Sequence, residues 1–592
     1  MFANQDLRSC WQQFVNVREH GRRSSNQRIG IARTVGRRLR GRLAPGSRSA
    51  RHAVASILGE DRTTWMRHQD PKRWVETGFA ARSGRAAEGW GGGVSGAPAA
   101  GLARRILGGF ALWLFAVGAS SPMTVLAGSV PATYAGTGVV GVPLSFLLLG
   151  PALAAVTVGY VAVTRHVQHA APMYAVLTHG LGRLTGVGGA AEALLGYNAI
   201  QICLYGLIGA TLAGDLGGPW WVWAMVVWLS IGALGVFNVR LNAAVLGWLL
   251  GVELLLIAAF DLAALTHPAG GHLSSAPLSP SSLAVNGIGG AFALAIAAFV
   301  GYEQPPVFAE EARRASSMAG ATFAALGFLS LFYALSSWAL VVVVGPGTVA
   351  DAARHDPDFA FTLMRQVFGP VWGVAMAALG RLLLVTSMFA AMLAFHNSVA
   401  RHVFALGREG VLPRALGRAA AGTGRRSGAP VAASLTQSGL AFVVVGAFVV
   451  VHADPVATLF TWLATLAALS VMALLVASCL AALVFFARRP RHESAGAERE
   501  GWWTRVGGPL VGLGVGGAVL GVTVTHLDTL LGVTPGSPMT AVVPGVALLA
   551  ALAGLVWAVW LRARQPQVYR SLGAGKPHPL AVLDQRLADV EV

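Results

Sequence analysis

Residues 114–128 read LFAVGASSPMTVLAG, and residues 294–311 read LAIAAFVGYEQPPVFAEE. Each is a membrane-length apolar segment broken near its middle. The first carries Gly118, Ser120, Ser121 and Pro122 at the break; the second carries Gly301, Pro305 and Pro306. A break at mid-bilayer frees backbone donors and acceptors where no water can reach them, so it survives only where it lines a cavity. Two broken segments in corresponding places of two halves point to the binding site of a transporter.

Composition supports a membrane protein. The chain has 592 residues, of which 55% are hydrophobic and 12% charged; a soluble domain carries about twice that charged fraction. The apolar residues gather into about twelve blocks near the ~20 residues needed to cross a bilayer: 106–130, 138–163, 189–214, 219–238, 242–266, 286–309, 319–344, 370–399, 430–451, 456–486, 507–527 and 539–561. The breaks fall in the first and sixth, the offset expected of a five-plus-five inverted repeat followed by two extra helices. The fold class expected is therefore an all-α integral membrane protein.

The net charge of +18 suggests nucleic acid, but its placement argues against that. Residues 1–100 hold eighteen Lys+Arg against seven Asp+Glu. Most other basic residues fall in alternate loops, at Arg165 and Arg183, Arg240, Arg313 and Arg314, Arg401 to Arg426, Arg488 to Arg491, and Arg562 with Arg564. This positive-inside pattern puts both termini in the cytoplasm, in the cell membrane, and requires an even number of spans. Residues 1–103 form an Arg-rich tail with no helical periodicity, expected to be disordered and cytoplasmic, or in part the product of an upstream start codon, with Met66 a later candidate. Residues 104–562 are the transporter domain and 563–592 a cytoplasmic C-terminal tail. The stretch 400–429 is expected as an internal loop carrying six arginines.

The breaks carry the candidate chemistry. Ser121-Pro122 reads as an N-cap followed by proline at the first helical position. A half-helix starting near Met123 then presents free N–H groups, with those near Ala119 and Ser120, to an anion such as a carboxylate. The second break has the opposite polarity. A helix ending near Phe299 exposes carbonyls around Ala297 to Phe299 to an ammonium donor. Gly301 lets the chain unwind, Gln304 before Pro305 is pushed from helical angles, and Phe299 and Tyr302 can close over a ligand. Donors at one break and acceptors at the other suit a zwitterion. The alternative at the first break is a packed proline kink.

Charges inside spans are costly and usually functional. Glu253, in the fifth span, and Glu303, just past the second break, are the candidates to carry a coupling proton; a structural hydrogen bond, or an ion pair with Arg381 of the eighth span, is the alternative. Asp261 lies nearer the outer end, where hydration is expected. Glu310 and Glu311 beside Arg313 and Arg314 form a charge cluster suited to a gate or a helix stop. Histidines 166, 169, 179, 396 and 402 sit at loop edges and make no HExxH pair, and Cys10, Cys203 and Cys479 have no metal or disulfide spacing. Neither an enzyme nor a cofactor or metal site is expected.

From about 104 to 562 the chain resembles the amino acid–polyamine–organocation superfamily, in its bacterial amino acid permease branch. The likeness rests on GASSPMTVLAGSVPATYAGTGVVGVPLSFLLLG (118–150), YNAIQICLYGLIG (197–209), AFVGYEQPPVFAEEAR (298–313), TSMFAAMLAFHNSVARHVFALGREGVLPRALG (386–417) and TLFTWL (458–463), in that order. The resemblance implies alternating access and uptake or exchange of amino acids or related amines, with no enzyme activity. It implies that Gly118, Ala119, Ser120, Ser121 and Pro122 form the carboxylate side of a substrate site, beside the substrate-binding candidate Met123 read above, and that Phe299, Val300, Gly301, Tyr302 and Glu303 line its amine and side-chain side. Some relatives have a lysine in the fifth span in place of a sodium ion; here the charge is Glu253. The partners implied are a small-molecule substrate, membrane lipid and a coupling proton. Alternative readings are a polyamine or organic-cation transporter of the same fold, or a non-transporting nutrient sensor.

Overall fold

The computed structural model describes residues 102, 106–237, 239–420, 428–488 and 500–575. Nearly all of the Arg-rich N-terminal stretch expected as a tail, 1–103, lies outside the described residues, as does 576–592. The described chain is helical. Helix α1 (Gly109–Ala119) and helix α2 (122–137) flank the first break, followed by α3 (Val142–His166), a short α4 (Pro172–Gly180), α5 (Arg183–Leu216), α6 (Trp220–Gly235) and α7 (Val239–Leu265). Then come α8 (Ile288–Ala297) before the second break, α9 (Ala315–Val344), α10 (Val349–His355), α11 (Phe359–Glu409) and α12 (Val431–Val450). Helices α13 (Pro455–Arg488), α14 (Trp503–Thr525), α15 (Leu527–Leu531), α16 (Met539–Arg564) and α17 (Pro566–Ser571) complete the chain.

Among the described residues ten helices are long and apolar enough to cross a membrane, with α6 and α8 as shorter apolar helices. Their faces sort as lipid requires. Helix α16 exposes Leu548, Leu549, Val556 and Trp557, and α6 exposes Val226 and Leu229, whereas the middle of α11 from Met388 to Gly407 is largely buried. Helices approach closely where side chains are small: a Cβ on Gly150 of α3 would meet Ser330 Oγ of α9 at 2.4 Å, and that hydroxyl donates to Phe146 O at 2.9 Å.

Three local outcomes refine the sequence reading. Past the second break no second half-helix forms, only one 3-10 turn at Pro305–Phe308. Helix α11 bends at Gly369 (φ 71°), ahead of Pro370. It then continues to Glu409, ten residues past the apolar block and into the stretch expected as loop. It does so because Arg401 and Glu409, which would be costly in a bare helix, are buried with partners.

Glu409 shows how the C-terminal stretch is fastened. Tyr174 Oη (2.6 Å), Gly573 N–H (2.8 Å) and Gly575 N–H (2.6 Å) donate to its carboxylate. Ala171 N–H donates to His169 Nδ1 at 2.9 Å, which leaves Nε2 as the protonated nitrogen that donates to Glu409 Oε1 at 3.0 Å. Burial, then the neighbouring Glu409 charge, push the Tyr174 hydroxyl well above its ordinary range, so it stays a donor. Glu409→Ala strands these buried donors, and a stability loss of about 3 kcal/mol is expected. Thermal unfolding in detergent measures it; an unchanged midpoint would refute the role of Glu409 as an anchor.

Candidate functional site

The two breaks meet in the centre of the bundle. Helix α1 ends at Ala119; Ser121 takes the left-handed conformation (φ 50°, ψ 69°), and Pro122 opens α2. No side-chain cap forms at Ser121. Its hydroxyl instead shares hydrogen bonds with Thr124 Oγ1 (2.7 Å) and Ser387 Oγ (2.8 Å). On the other side α8 ends at Ala297, and the chain descends in tight turns, Phe299 N–H to Ile296 O (3.0 Å) and Tyr302 N–H to Phe299 O (3.2 Å). Gly301 has φ 116°, and a Cβ there would lie 2.7 Å from Ala119 Cβ. That approach brings Ser120 Oγ to 3.4 Å from both Phe299 O and Val300 O. Tyr333 Oη donates to Ser120 O at 3.0 Å, and the Phe299 ring packs edge-on between Phe146 and Tyr333. Gly118, Ala119, Ser120, Ser121, Pro122, Met123, Phe299, Val300, Gly301 and Tyr302 are all buried here.

The donor end of α2 is occupied by the protein itself. Glu253 of α7 is fully buried. Its Oε1 accepts from Met123 N–H at 2.6 Å and from Ser387 Oγ at 2.7 Å; its Oε2 has no hydrogen-bond partner. The contact follows from the helix end: the first N–H groups of α2 have no intrahelical acceptor, and the positive end of the dipole favours an anion.

Glu303 folds back on its own break. Gly301 N–H donates to Oε2 at 2.8 Å and Tyr197 Oη to Oε1 at 3.1 Å. Tyr302 shares a 2.7 Å hydrogen bond with Thr157 Oγ1, so its hydroxyl is turned toward α3. Ser398 Oγ donates to Gln304 Oε1 at 2.8 Å, leaving Gln304 Nε2 without a partner.

The other charges separate into two sets. Arg381 does not pair with either glutamate. It donates to Asp215 (3.3 Å) and to Asp358, and stacks on Phe361. Asp261 is buried; Ser336 Oγ donates to its Oδ2 at 2.7 Å. Glu310 and Glu311 reach past Arg313 and Arg314 to α11. Arg408 donates to Glu310 Oε2 at 2.8 Å. Arg401 donates to Glu311 through Nε (2.6 Å) and Nη2 (3.0 Å), to Asn397 O and Oδ1 (2.9 Å each), and lies over the Phe308 ring. The backbone locks the same place, with Ile106 and Leu107 N–H donating to Glu311 O and Arg313 N–H donating to Leu107 O. The chain entering the first broken segment is thereby stitched to the chain leaving the second.

Sequence reasoning missed Ser387, Tyr333, Tyr197 and Asn397. Each is a polar group inside an apolar block, which was the available signal. His396 and His402, expected at loop edges, are buried within α11. Among the described residues no group of three His, Cys, Asp or Glu side chains lies close enough to hold a metal ion.

A family model described as amino acid permease matches residues 107–556. Solved structures similar to this chain include two mutants of the manganese transporter of Eremococcus coleocola. The first is 16% identical, with a TM-score of 0.45 over 81% of this chain and 100% of that one. The second is also 16% identical, with a TM-score of 0.43 over 78% and 95%. No curated protein matches the chain.

Proposed function

The chain belongs to the amino acid permease family, and from that premise we propose that it moves amino acids or related small amines across the cytoplasmic membrane by alternating access. It is a multi-pass secondary transporter and not an enzyme. One observation carries the substrate reading: Ser120, just ahead of the donor end of α2, lies 3.4 Å across the paired breaks from the carbonyls of Phe299 and Val300. An ammonium group suits the carbonyls, and a carboxylate suits the N–H end. Gly118 to Met123 and Phe299 to Tyr302 are the proposed substrate contacts, with Glu253 and Glu303 as carriers of a coupling proton. The loop charges favour both termini, including the stretches 1–103 and 563–592, on the cytoplasmic side, with twelve spans arranged as five plus five plus two.

A second reading has one observation in its favour. Glu253 already fills the donor end of α2, so a polyamine or other organic cation, lacking a carboxylate, would find a counter-charge in place. Reconstitution into liposomes separates the two. Radiolabelled amino acids and amines are screened with and without a pH gradient. Uptake or exchange of amino acids is expected, stimulated by an inward-directed proton gradient. Uptake confined to amines would favour the second reading, and no uptake of any probe would sink both.

A further inference from the structure

Both breaks are satisfied by groups of the chain that have the chemistry of a ligand. At the first, a carboxylate of Glu253 accepts from Met123 N–H (2.6 Å) and Ser387 Oγ (2.7 Å). At the second, the hydroxyl of Ser120, which also reaches Ala116 O at 3.3 Å, lies 3.4 Å from the carbonyls of Phe299 and Val300, where an ammonium would donate. The carboxylate end carries an independent mark. Glu253 is fully buried, and its Oε2 has no hydrogen-bond partner, an unmatched acceptor that a structural anchor does not need. Helix α2 continues over 122–137, so its donor end has a full helix behind it.

We propose that Glu253 is an internal occupant of the anion site at the first break, displaced by a carboxylate cargo only when it takes up one proton, so that cargo and proton bind together. This rests on the reading of the chain as a transporter of amino acids or amines. The physical reason is exclusion. An ionised carboxylate is an acceptor with no proton to share, and two such anions at one N–H end in a dry site repel. A proton from the water on the side of entry bonds to a Glu253 oxygen. The neutral acid then gives up Met123 N–H to the cargo carboxylate, while the cargo ammonium takes the place of the Ser120 hydroxyl at the second break. On release the proton leaves, and Glu253 returns to the N–H end.

The groups facing Glu253 fit this cycle. From α9 there is Tyr333; from α11, Ser387, whose hydroxyl is bonded in turn to Ser121; from the first break, the Met123 amide. Asp261, further along α7, is bonded to Ser336. Three arginines of α11 are engaged elsewhere, Arg381 with Asp215 and Asp358, Arg401 with Glu311 and Arg408 with Glu310. An amine without a carboxylate leaves Glu253 in place and needs no proton.

The test uses the full chain in detergent, the amino acid that gives the strongest uptake in the liposome screen, and its decarboxylated amine. Binding is followed by calorimetry between pH 5.5 and 8.5 in two buffers of different ionisation heat. One proton is expected to be taken up per amino acid bound, and affinity to fall about tenfold per pH unit above the midpoint; the amine is expected to bind with no proton uptake. In Glu253→Gln the amino acid should bind with neither proton uptake nor pH slope. Should that variant fail to fold, Ser387→Ala serves: with one of two donors to the ionised carboxylate removed, the midpoint of binding should move to higher pH. Amino acid binding without proton uptake, or an unchanged slope in Glu253→Gln or midpoint in Ser387→Ala, overturns the proposal and leaves the transporter reading standing. Uptake of no probe at all removes both.

Discussion

Gly301→Val is expected to reduce substrate uptake by about 100-fold or more, the largest effect of any single substitution at the breaks. Gly301 has φ 116°, a backbone conformation closed to β-branched side chains. A Cβ would lie 2.7 Å from Ala119 Cβ and 3.0 Å from the Ala119 carbonyl carbon, and its own N–H is held by Glu303 Oε2 at 2.8 Å. The turn therefore has no room to relax on either side. Backbone strain of roughly 1–3 kcal/mol and overpacking of about 1–3 kcal/mol act together. About 3 kcal/mol against the arrangement with the breaks in contact is about 100-fold in its population. Gly128→Ala is the control, because a Cβ at Gly128 meets nothing within 4 Å. Uptake in reconstituted liposomes, normalised to folded protein, reads the result. Wild-type uptake by Gly301→Val would show that the close approach of the breaks is not required.

Arg401→Met should destabilise the protein by about 3–5 kcal/mol, the largest stability effect expected of a charged residue here. Arg401 and Glu311 are both buried, with side-chain exposures of 2% and 1%. The guanidinium also serves Asn397 and covers Phe308. Removing it leaves the Glu311 carboxylate in a dry pocket with no counter-charge. The cost arises from that orphan and not from the loss of attraction, so Arg401→Met combined with Glu311→Met should recover most of the loss. Thermal unfolding in detergent distinguishes the two. If the double variant is no more stable than the single one, the pair is not what sets the penalty. The same variants report on transport, because this pair ties the strand of chain after the second break to α11.

Much of the fold was legible because the bilayer imposes a length and a polarity on every span. The apolar blocks match helices in order, and both breaks were placed to within about two residues, at Ala119 before Pro122 and at Ala297. Proline and glycine act through the backbone alone, so their effect needs no knowledge of what packs nearby. That the chain makes only a 3-10 turn past Pro305-Pro306 went unannounced because the apolar run continues through Val307, Phe308 and Ala309. The run of α11 to Glu409 was hidden for the opposite reason, since Arg401, His402 and Glu409 look like loop residues until their buried partners are known.

The sequence by itself determined a membrane-spanning helical bundle with two broken segments, one with its donor end and the other with its acceptor end available. Only the tertiary structure decided who occupies those ends. Met123 and Glu253 are 130 residues apart, Glu253 and Ser387 134, and Ser120 and Phe299 179. Local periodicity holds no information about pairings across such distances. A buried carboxylate takes whichever donor the packing of separate helices presents, and here α7 and α11 deliver Glu253 and Ser387 to a helix end whose first N–H groups have no intrahelical partner.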